Sequence, residues 1–412
     1  MKYFIADFHI HSKYSRATSK DMDIENLAKW AKIKGISLMG TGDFTHPEWL
    51  KEIKEKLEPV EYGIFRQKDI YFMLTAEVSN IYFKAGKSKK VHNIIFAPTF
   101  EIVREINKCL KAFGGLKADG RPILGLDCEK MVKALYAISP DIFIVPGHIW
   151  TPWFSIFGSN SGFDNPEDCF GRETDKIFAM ETGLSSDPAM NWRWSKLDRF
   201  SLISNSDSHS PSRIGREANV FSEKFTYKGL MEILKKKDKN KFLFTVEFFP
   251  EEGKYHWDGH RNCDVRLSPQ EAKKINERCP ACGRRVTVGV MHRLNDLADR
   301  QEGFKPESGI PFRNLVPLDE IIAGAMGIGK DTAGVEREYN LLIQRLGNEF
   351  DILLEVPEEE LTANCSSRIA KGIIKVRKGE VEVLPGFDGE YGKVKIFSEK
   401  DKEREEKQLS FF

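Results

Sequence analysis

The chain has 412 residues, 63 basic and 62 acidic, for a formal net charge of +1, and 41% of its residues are hydrophobic. That length exceeds one ordinary domain and supports a sizeable core. No run of about 18 apolar residues occurs, which excludes a membrane-spanning helix. The balanced charge carries no overall signal for nucleic acid, but it leaves room for a local basic groove.

The opening stretch, MKYFIADFHIH, has no basic flank followed by a long apolar segment. No signal peptide is expected, and the expected compartment is the cytoplasm. YFIADF reads as a strand, and DIENLAKWAKIKG as a helix capped by Asp23 and stopped by Gly35. SLMGTG, IYFMLTAE, HNIIFAP, IFIVPGH, IFAMETG and SLISNSD follow as short apolar runs. Helical stretches such as FEIVREINKCLKAFG, DCEKMVKALYAI and KGLMEILKKK lie between several of them. Strand–helix alternation predicts a parallel sheet with crossover helices, closed as an α/β barrel over residues 1–250.

The ends of these runs carry the chemistry. His9 and His11 follow the first run, Asp43 and His46 the second, and Glu77 the third. His92 begins the fourth run, His148 follows the fifth, and Asp207 and His209 follow the last. In a parallel barrel such ends converge on one face. Residues two apart on a strand point the same way, so His9 can share a site with His11, and Asp207 with His209. Six of the chain's nine histidines fall at these positions. Mixed imidazole and carboxylate ligation suits Zn, Mn or Fe. Nine ligands exceed the needs of one ion, which predicts two to three divalent ions, Zn2+, Mn2+ or Mg2+. Such a centre polarises a phosphoryl oxygen and lowers the pKa of a bound water towards ~7. Asp207, His148 and Glu77 are the expected catalytic residues.

Residues 251–295 lose the periodicity. Here His260-Arg-Asn-Cys263 and Cys279-Pro-Ala-Cys282 form two knuckles with the spacing of a structural zinc ribbon. His256 is the alternative fourth ligand; His260 completes a knuckle. Arg284 and Arg285 beside it suit phosphate contacts. Residues 296–398 read as a small α+β domain, with helices at LVPLDEIIAGAM and GVEREYNLLIQRLG and strands across IIKVRKGEVEVLPGFDGEYGKVKIF. Gly327, Gly329 and Lys330 lie in a turn that suits a backbone phosphate clamp, or an ordinary helix cap. Trp153 and Phe154, next to His148, suit stacking on an extruded base, or rim packing. Residues 399–412 read as a flexible tail, and Gln408-Leu-Ser-Phe411-Phe412 is similar to a degenerate sliding-clamp peptide.

His9-x-His11, Asp43 with His46, Glu77, His92, His148 and Asp207-x-His209 resemble the ordered ligand set of the polymerase-and-histidinol-phosphatase (PHP) superfamily. That resemblance implies a distorted (βα)7 barrel with a trinuclear metal site that hydrolyses phosphoesters. With GKYHWDGHRNCDVRLSPQE, the Cys-x-x-Cys knuckle, GAMGIGKDTAGVEREY and PGFDGEYGKVKIF, the chain resembles the endonuclease Q family along nearly its whole length. This implies a metal-dependent enzyme that nicks DNA 5′ to uracil, hypoxanthine, xanthine or an abasic site; a monomer is expected. The implied products carry 3′-hydroxyl and 5′-phosphate ends. A histidinol-phosphate-type phosphatase is the alternative, and a non-catalytic DNA-binding module is another. Both leave parts of the chain without a use.

Overall fold

Tyr3–Asp7 (β1) is an apolar strand ending on a carboxylate, at the centre of the largest sheet. The computed structural model describes residues 3–222 and 225–397. β1 pairs in parallel with Leu38–Gly40 (β2), and β2 in parallel with Ile70–Lys84 (β3). Helix Ile24–Lys34 (α1) connects β1 to β2. Asp23 caps it by accepting from the Asn26 N–H, and Gly35 ends it at φ 90°. A carboxylate satisfies an otherwise unpaired amide at the first position, and glycine adopts the left-handed conformation without steric penalty at the last. Helices Pro47–Lys56 (α2), Phe100–Leu110 (α3) and Cys128–Ile138 (α4) follow, the last two where the sequence predicts them.

The mixed α/β class is as expected, but the strand directions depart from a uniform parallel repeat. Lys87–Ala97 (β4) runs antiparallel to β3, from Leu74 opposite Ala97 to Lys84 opposite Lys87. The two-residue turn between them, Ala85 and Gly86, has positive φ at both positions. Such a turn joins antiparallel neighbours and leaves no chain for a crossover helix. β4 is antiparallel to Phe143–Pro146 (β5) as well. Ala179–Glu181 (β6) and Ser201–Ile203 (β7) form a parallel pair. Ala218–Ser222 (β8) runs antiparallel to both β1 and Phe242–Glu247 (β9), with helix Tyr227–Lys236 (α5) between β8 and β9.

The remaining segments pack onto this body. Asp258–His260 pairs with Val265–Leu267 as a small hairpin. Phe312–Asn314 (β10) joins the main sheet parallel to β9. Helices Leu318–Met326 (α6) and Ala333–Leu346 (α7) form a hairpin across Gly327, which ends α6 at φ 68°. Glu349 accepts from the buried Lys34 ammonium at 2.6 Å and from the Tyr339 hydroxyl, tying this region to α1. One continuous apolar cluster extends from Ile5 to Phe397.

One element corrects the sequence expectation. The stretch containing IIKVR is not a strand but helix Ser367–Arg377 (α8), capped by Ser366. Its β-branched residues sit at helical spacing and bury Ile369, Ile373 and Val376 on one face. Glu382–Leu384 (β11) and Lys393–Lys395 (β12) then pair antiparallel, as expected. Their loop docks on residues 251–254 through Gly386 N–H to Glu251 O (2.7 Å) and Gly392 N–H to Glu252 O (3.0 Å). Among the described residues no helix is long and apolar enough to cross a membrane.

Candidate metal centre and cleft

His9 and His11 leave the end of β1 two residues apart, and both are buried. A carboxylate holds each ring through Nδ1. Glu181 lies 3.0 and 3.1 Å from His9, and Asp43 lies 3.0 Å from His11. Both Nε2 atoms are therefore turned to the opposite side, where they are buried without a hydrogen-bond partner. There Glu77 Oε2 stands 3.5 Å from His9 and 3.2 Å from His11, and Asp207 Oδ1 stands 3.7 and 3.1 Å away. Asp207 Oδ1 is also buried and unpartnered.

Glu77 serves a second set through its other oxygen. Oε1 lies 2.7 Å from His92 Nδ1 and 3.1 Å from His148 Nε2. Within each set the donor atoms lie within 4.8 Å of one another. Six of the nine predicted ligands thus converge, as two sets sharing one carboxylate. Orphaned buried donors are costly in an apo protein and are satisfied by a cation, so these nitrogens and oxygens fit a pair of divalent ions.

Within the site the carboxylates and imidazoles stabilise each other's charges: despite burial, Glu181 and Glu77 raise His9 well above the ordinary imidazole value, Asp43 and Asp207 do the same for His11, and Glu77 raises His148. Burial pushes the Glu77 carboxyl up, but His92, Arg121 and His9 outweigh it and hold the group well below the usual carboxylate range. The same contest, won by His11 and His9, holds Asp207 well below its ordinary value. Burial depresses His92 to about 4, which keeps it neutral and able to ligate. Asp43, His148 and Asp207 all adopt positive φ (47°, 30° and 45°), a strained backbone characteristic of functional sites.

Three predicted ligands stand outside the two sets. Asp43 Oδ2 accepts from the Ser12 N–H, the Ser12 hydroxyl and the Ser15 hydroxyl at 2.6–2.8 Å. With Oδ1 on His11, its lone pairs are committed, and its place is behind the His11 ring. His46 caps α2, accepting from the Trp49 N–H, and stacks on Tyr14 with centroids 4.5 Å apart. His209 turns Nδ1 to the Asp207 carbonyl at 2.9 Å and lies half-buried at the rim, 4.6 Å from the His11 ring.

Two contributors were not foreseen. Glu181 ends β6 in IFAMETG, where the run-end pattern already pointed. Arg121 arrives from a loop, with Nη1 at 3.0 Å from Glu77 Oε2, and carries no periodic signal.

The second predicted cluster also assembles. Donor atoms of His260, Cys263, Cys279 and Cys282 converge within 4.8 Å, with Cys282 Sγ 3.6 Å from His260 Nδ1. One imidazole and three thiols fit a closed tetrahedral zinc site. His256 is buried elsewhere, and desolvation lowers it to about 4.

The metal-type donors open onto a cleft of about 1860 Å³, with His92, His148, Asp207 and His209 in its lining. Its walls carry Arg213, Arg216, Lys254, Lys330, Lys393 and Lys395. Trp153, Phe154, Gly183 and Gly327 line it too. Trp153 is 38% exposed, and Phe154 tilts over His92 at 4.9 Å. Gly329, Arg284 and Arg285 do not line the cleft. Arg285 pairs with Glu277 at 3.2 Å, and the Arg284 carbonyl accepts from the Cys279 N–H inside the knuckle. The sliding-clamp-like stretch, Gln408 to Phe412, lies outside the described residues.

This architecture superimposes on solved structures over almost its full length. The lesion-specific endonuclease PfuEndoQ from Pyrococcus furiosus is 32% identical, with a TM-score of 0.86, covering 97% of this chain and 96% of that one. An Endonuclease Q complex with a 27-mer duplex, bearing an abasic lesion at the active site, is 32% identical with a TM-score of 0.87, over 97% and 98% of the two chains. The chain belongs to the endonuclease Q family. The chain is also similar to YqxK of Bacillus subtilis, at 30% identity over 96% of this chain and 100% of YqxK. MJ0043 of Methanocaldococcus jannaschii is 34% identical over 259 residues, which are 61% of this chain and 32% of MJ0043. The chain therefore spans about a third of that relative. Residues 317–380, which hold α6, α7 and α8, match the family model of the MJ0043 C-terminal domain.

Proposed function

We propose that the protein is a divalent-metal-dependent DNA repair endonuclease. It hydrolyses the phosphodiester 5′ to a deaminated base or an abasic site, leaving 3′-hydroxyl and 5′-phosphate ends. One observation carries this proposal above the rest: two donor sets sharing Glu77 open onto a basic cleft. Membership in a family with a solved member bound to abasic duplex DNA supports the substrate class.

Bound divalent ions supply Lewis-acid activation of the phosphodiester and of a water. His9, His11, Glu77 and Asp207 would hold one ion, and Glu77, His92 and His148 would hold another. Asp207 stays anionic and faces the cleft, so it is suited to take the proton of the attacking water. Asp43 and Glu181 fix the His11 and His9 rings, which aims their Nε2 atoms and sets their tautomers. The cations of the cleft neutralise backbone phosphates and set register.

The damaged nucleotide rotates out of the duplex into the cleft. Gly183, Leu184 and Ser185 on one side, and Trp153 with Phe154 on the other, are the proposed pocket walls. A Cβ at Gly183 would lie 2.5 Å from the His148 Cβ, so glycine lets this wall approach the metal centre. Deamination replaces an amine donor with a carbonyl acceptor. A pocket of backbone N–H donors accepts the carbonyl and rejects the amine, at ~1–3 kcal/mol for each donor left unpaired. The three thiols and His260 hold a structural zinc in this account.

A small-molecule phosphatase would leave the basic walls and the zinc-type cluster unused. The discriminating experiment uses end-labelled duplexes with one abasic site, one uracil, one hypoxanthine or no lesion. A single nick immediately 5′ to each lesion, extendable by a polymerase from its 3′ end, is the expected result. Release of phosphate from a monoester without any nicking would favour the phosphatase.

A further inference from the structure

Among the described residues, the guanidinium in ion-pair contact with the metal-type donors is that of Arg121. Its Nη1 lies 3.0 Å from Glu77 Oε2, the oxygen that also faces His9 and His11. The side chain is 28% exposed and lines the cleft beside His92, His148 and Asp207. A guanidinium offers five N–H groups, and this one makes no second hydrogen bond to the described residues.

The loop that delivers Arg121 is clamped on every side. Asp119 Oδ1 accepts from the Arg121 N–H at 3.0 Å. The Gly120 carbonyl accepts from the Thr45 hydroxyl at 3.1 Å, and its N–H donates to Tyr14 O at 3.1 Å. Pro122 O accepts from the Ser79 N–H on β3 at 3.0 Å. A Cβ on Gly120 would lie 2.2 Å from Ser15 Oγ and 2.3 Å from Asp43 Oδ2. Glycine is therefore required for the loop to press against the groups that hold His11. A loop so tightly fixed presents a permanent cation at a defined point beside the centre.

The position of that cation indicates what it serves. Glu77, Asp207 and Asp119 all stand in the field of Arg121, yet its single side-chain ion pair among the described residues is to Glu77. The rest of the guanidinium is half-open and faces the cleft beside His92, His148 and Asp207. An anion that enters with the substrate satisfies it, and the phosphodiester is that anion.

We propose that Arg121 is a further catalytic residue, which binds a non-bridging oxygen of the scissile phosphate. The inference rests on the endonuclease assignment above and adds a residue to it. In the step it assists, the oxygen of water bonds to phosphorus and the bond from phosphorus to the upstream 3′-oxygen breaks. One water proton passes to a carboxylate of the site, and the departing 3′-oxygen takes a proton from cleft water, to which that carboxylate releases the one it accepted, leaving a 3′-hydroxyl. The phosphate stays on the 5′-oxygen of the lesion nucleotide. Charge builds on the non-bridging oxygens during attack, where a fixed donor contributes most.

The test compares the parent with Arg121→Ala and Arg121→Lys. Three quantities are measured: single-turnover nicking of an abasic duplex at saturating enzyme, metal equivalents per chain, and affinity for inorganic phosphate of the metal-loaded protein. Removing one such donor lowers the rate by roughly 10²–10³-fold. Arg121→Ala is expected to show that loss with unchanged metal content, weaker phosphate binding and partial rescue by free guanidinium. Arg121→Lys, which keeps the charge without the fork, is expected to lose at least tenfold and to carry the test if the alanine variant fails to fold. A rate within about threefold of the parent, or a rate loss matched by loss of metal, would overturn the proposal. If the parent itself does not nick, the endonuclease assignment fails separately, and unchanged phosphate affinity in Arg121→Ala then overturns this inference on its own.

Discussion

Asp43 grips His11 through Oδ1 at 3.0 Å while its Oδ2 accepts from Ser12 and Ser15. It orients the His11 ring and is spent on that task. Glu181 does the same for His9. Asp43→Asn is therefore expected to weaken metal affinity by about 10–100-fold without abolishing it, because an amide cannot accept at both positions. Competition with a graded series of chelators measures this. A loss as complete as that of His11→Ala would make Asp43 a direct ligand.

His46 is bound up in a helix cap and a ring stack, not in the donor sets. His46→Ala should destabilise the fold by about 1 kcal/mol, the usual loss for a removed cap. Metal stoichiometry should stay at the parent value. Elemental analysis beside a melting curve separates the two, and a missing equivalent of metal would return His46 to the ligand set.

The zinc-type cluster holds a segment with little apolar core of its own. Cys279→Ser is expected to lose one equivalent of zinc and to lower the melting temperature, since metal binding there is also folding energy. An unchanged zinc content with an unchanged melting temperature would contradict a metal at His260, Cys263, Cys279 and Cys282.

Glu247 is fully buried behind β6 and β7, where Thr182, Ser204 and Thr245 donate to it. Burial, opposed by these hydroxyls and reinforced by Asp187, pushes its carboxyl up from 4.5 to about 8. The native state therefore keeps a proton that the unfolded chain releases above pH 4.5, so stability falls as pH rises across 4.5 to 8. Glu217, buried in its field, is pushed well above its ordinary value by burial and by the Glu247 charge, so Glu247→Gln removes one member of this pair and relieves the other. The variant's melting temperature should decline less than the parent's between pH 6 and 9. Parallel curves would show that Glu247 does not titrate in this window.

The two candidate donor sets are largely legible in the sequence because strand geometry is periodic. Residues two apart share a face, and run ends converge, so His9, His11, Glu77, His148 and Asp207 are found by position alone. His46 satisfies the same pattern but takes the capping role, since capping depends on the ring's own torsion and not on spacing. Arg121 and the cleft cations Arg216, Lys254, Lys393 and Lys395 were illegible because tertiary packing gathers them from distant segments. The direction of β4 turned on two residues, Ala85 and Gly86, whose left-handed conformations replace a crossover helix with a hairpin. Helix α8 was misread because Ile369, Ile373, Ile374 and Val376 have strand propensity, while their spacing is helical and packing decided the outcome.

The most direct test compares the parent with Asp207→Asn on duplexes carrying one uracil, one abasic site or no lesion. Binding and nicking are measured on the same preparations. The parent should nick both lesion duplexes 5′ to the lesion and spare the undamaged one. Asp207→Asn should bind the lesion duplexes within a few-fold of the parent and leave them uncut, because the anionic carboxylate that faces the cleft is gone while the basic walls remain. Near-parental nicking by Asp207→Asn, or equal cutting of the undamaged duplex by the parent, would contradict a lesion-directed centre built on Glu77 and Asp207.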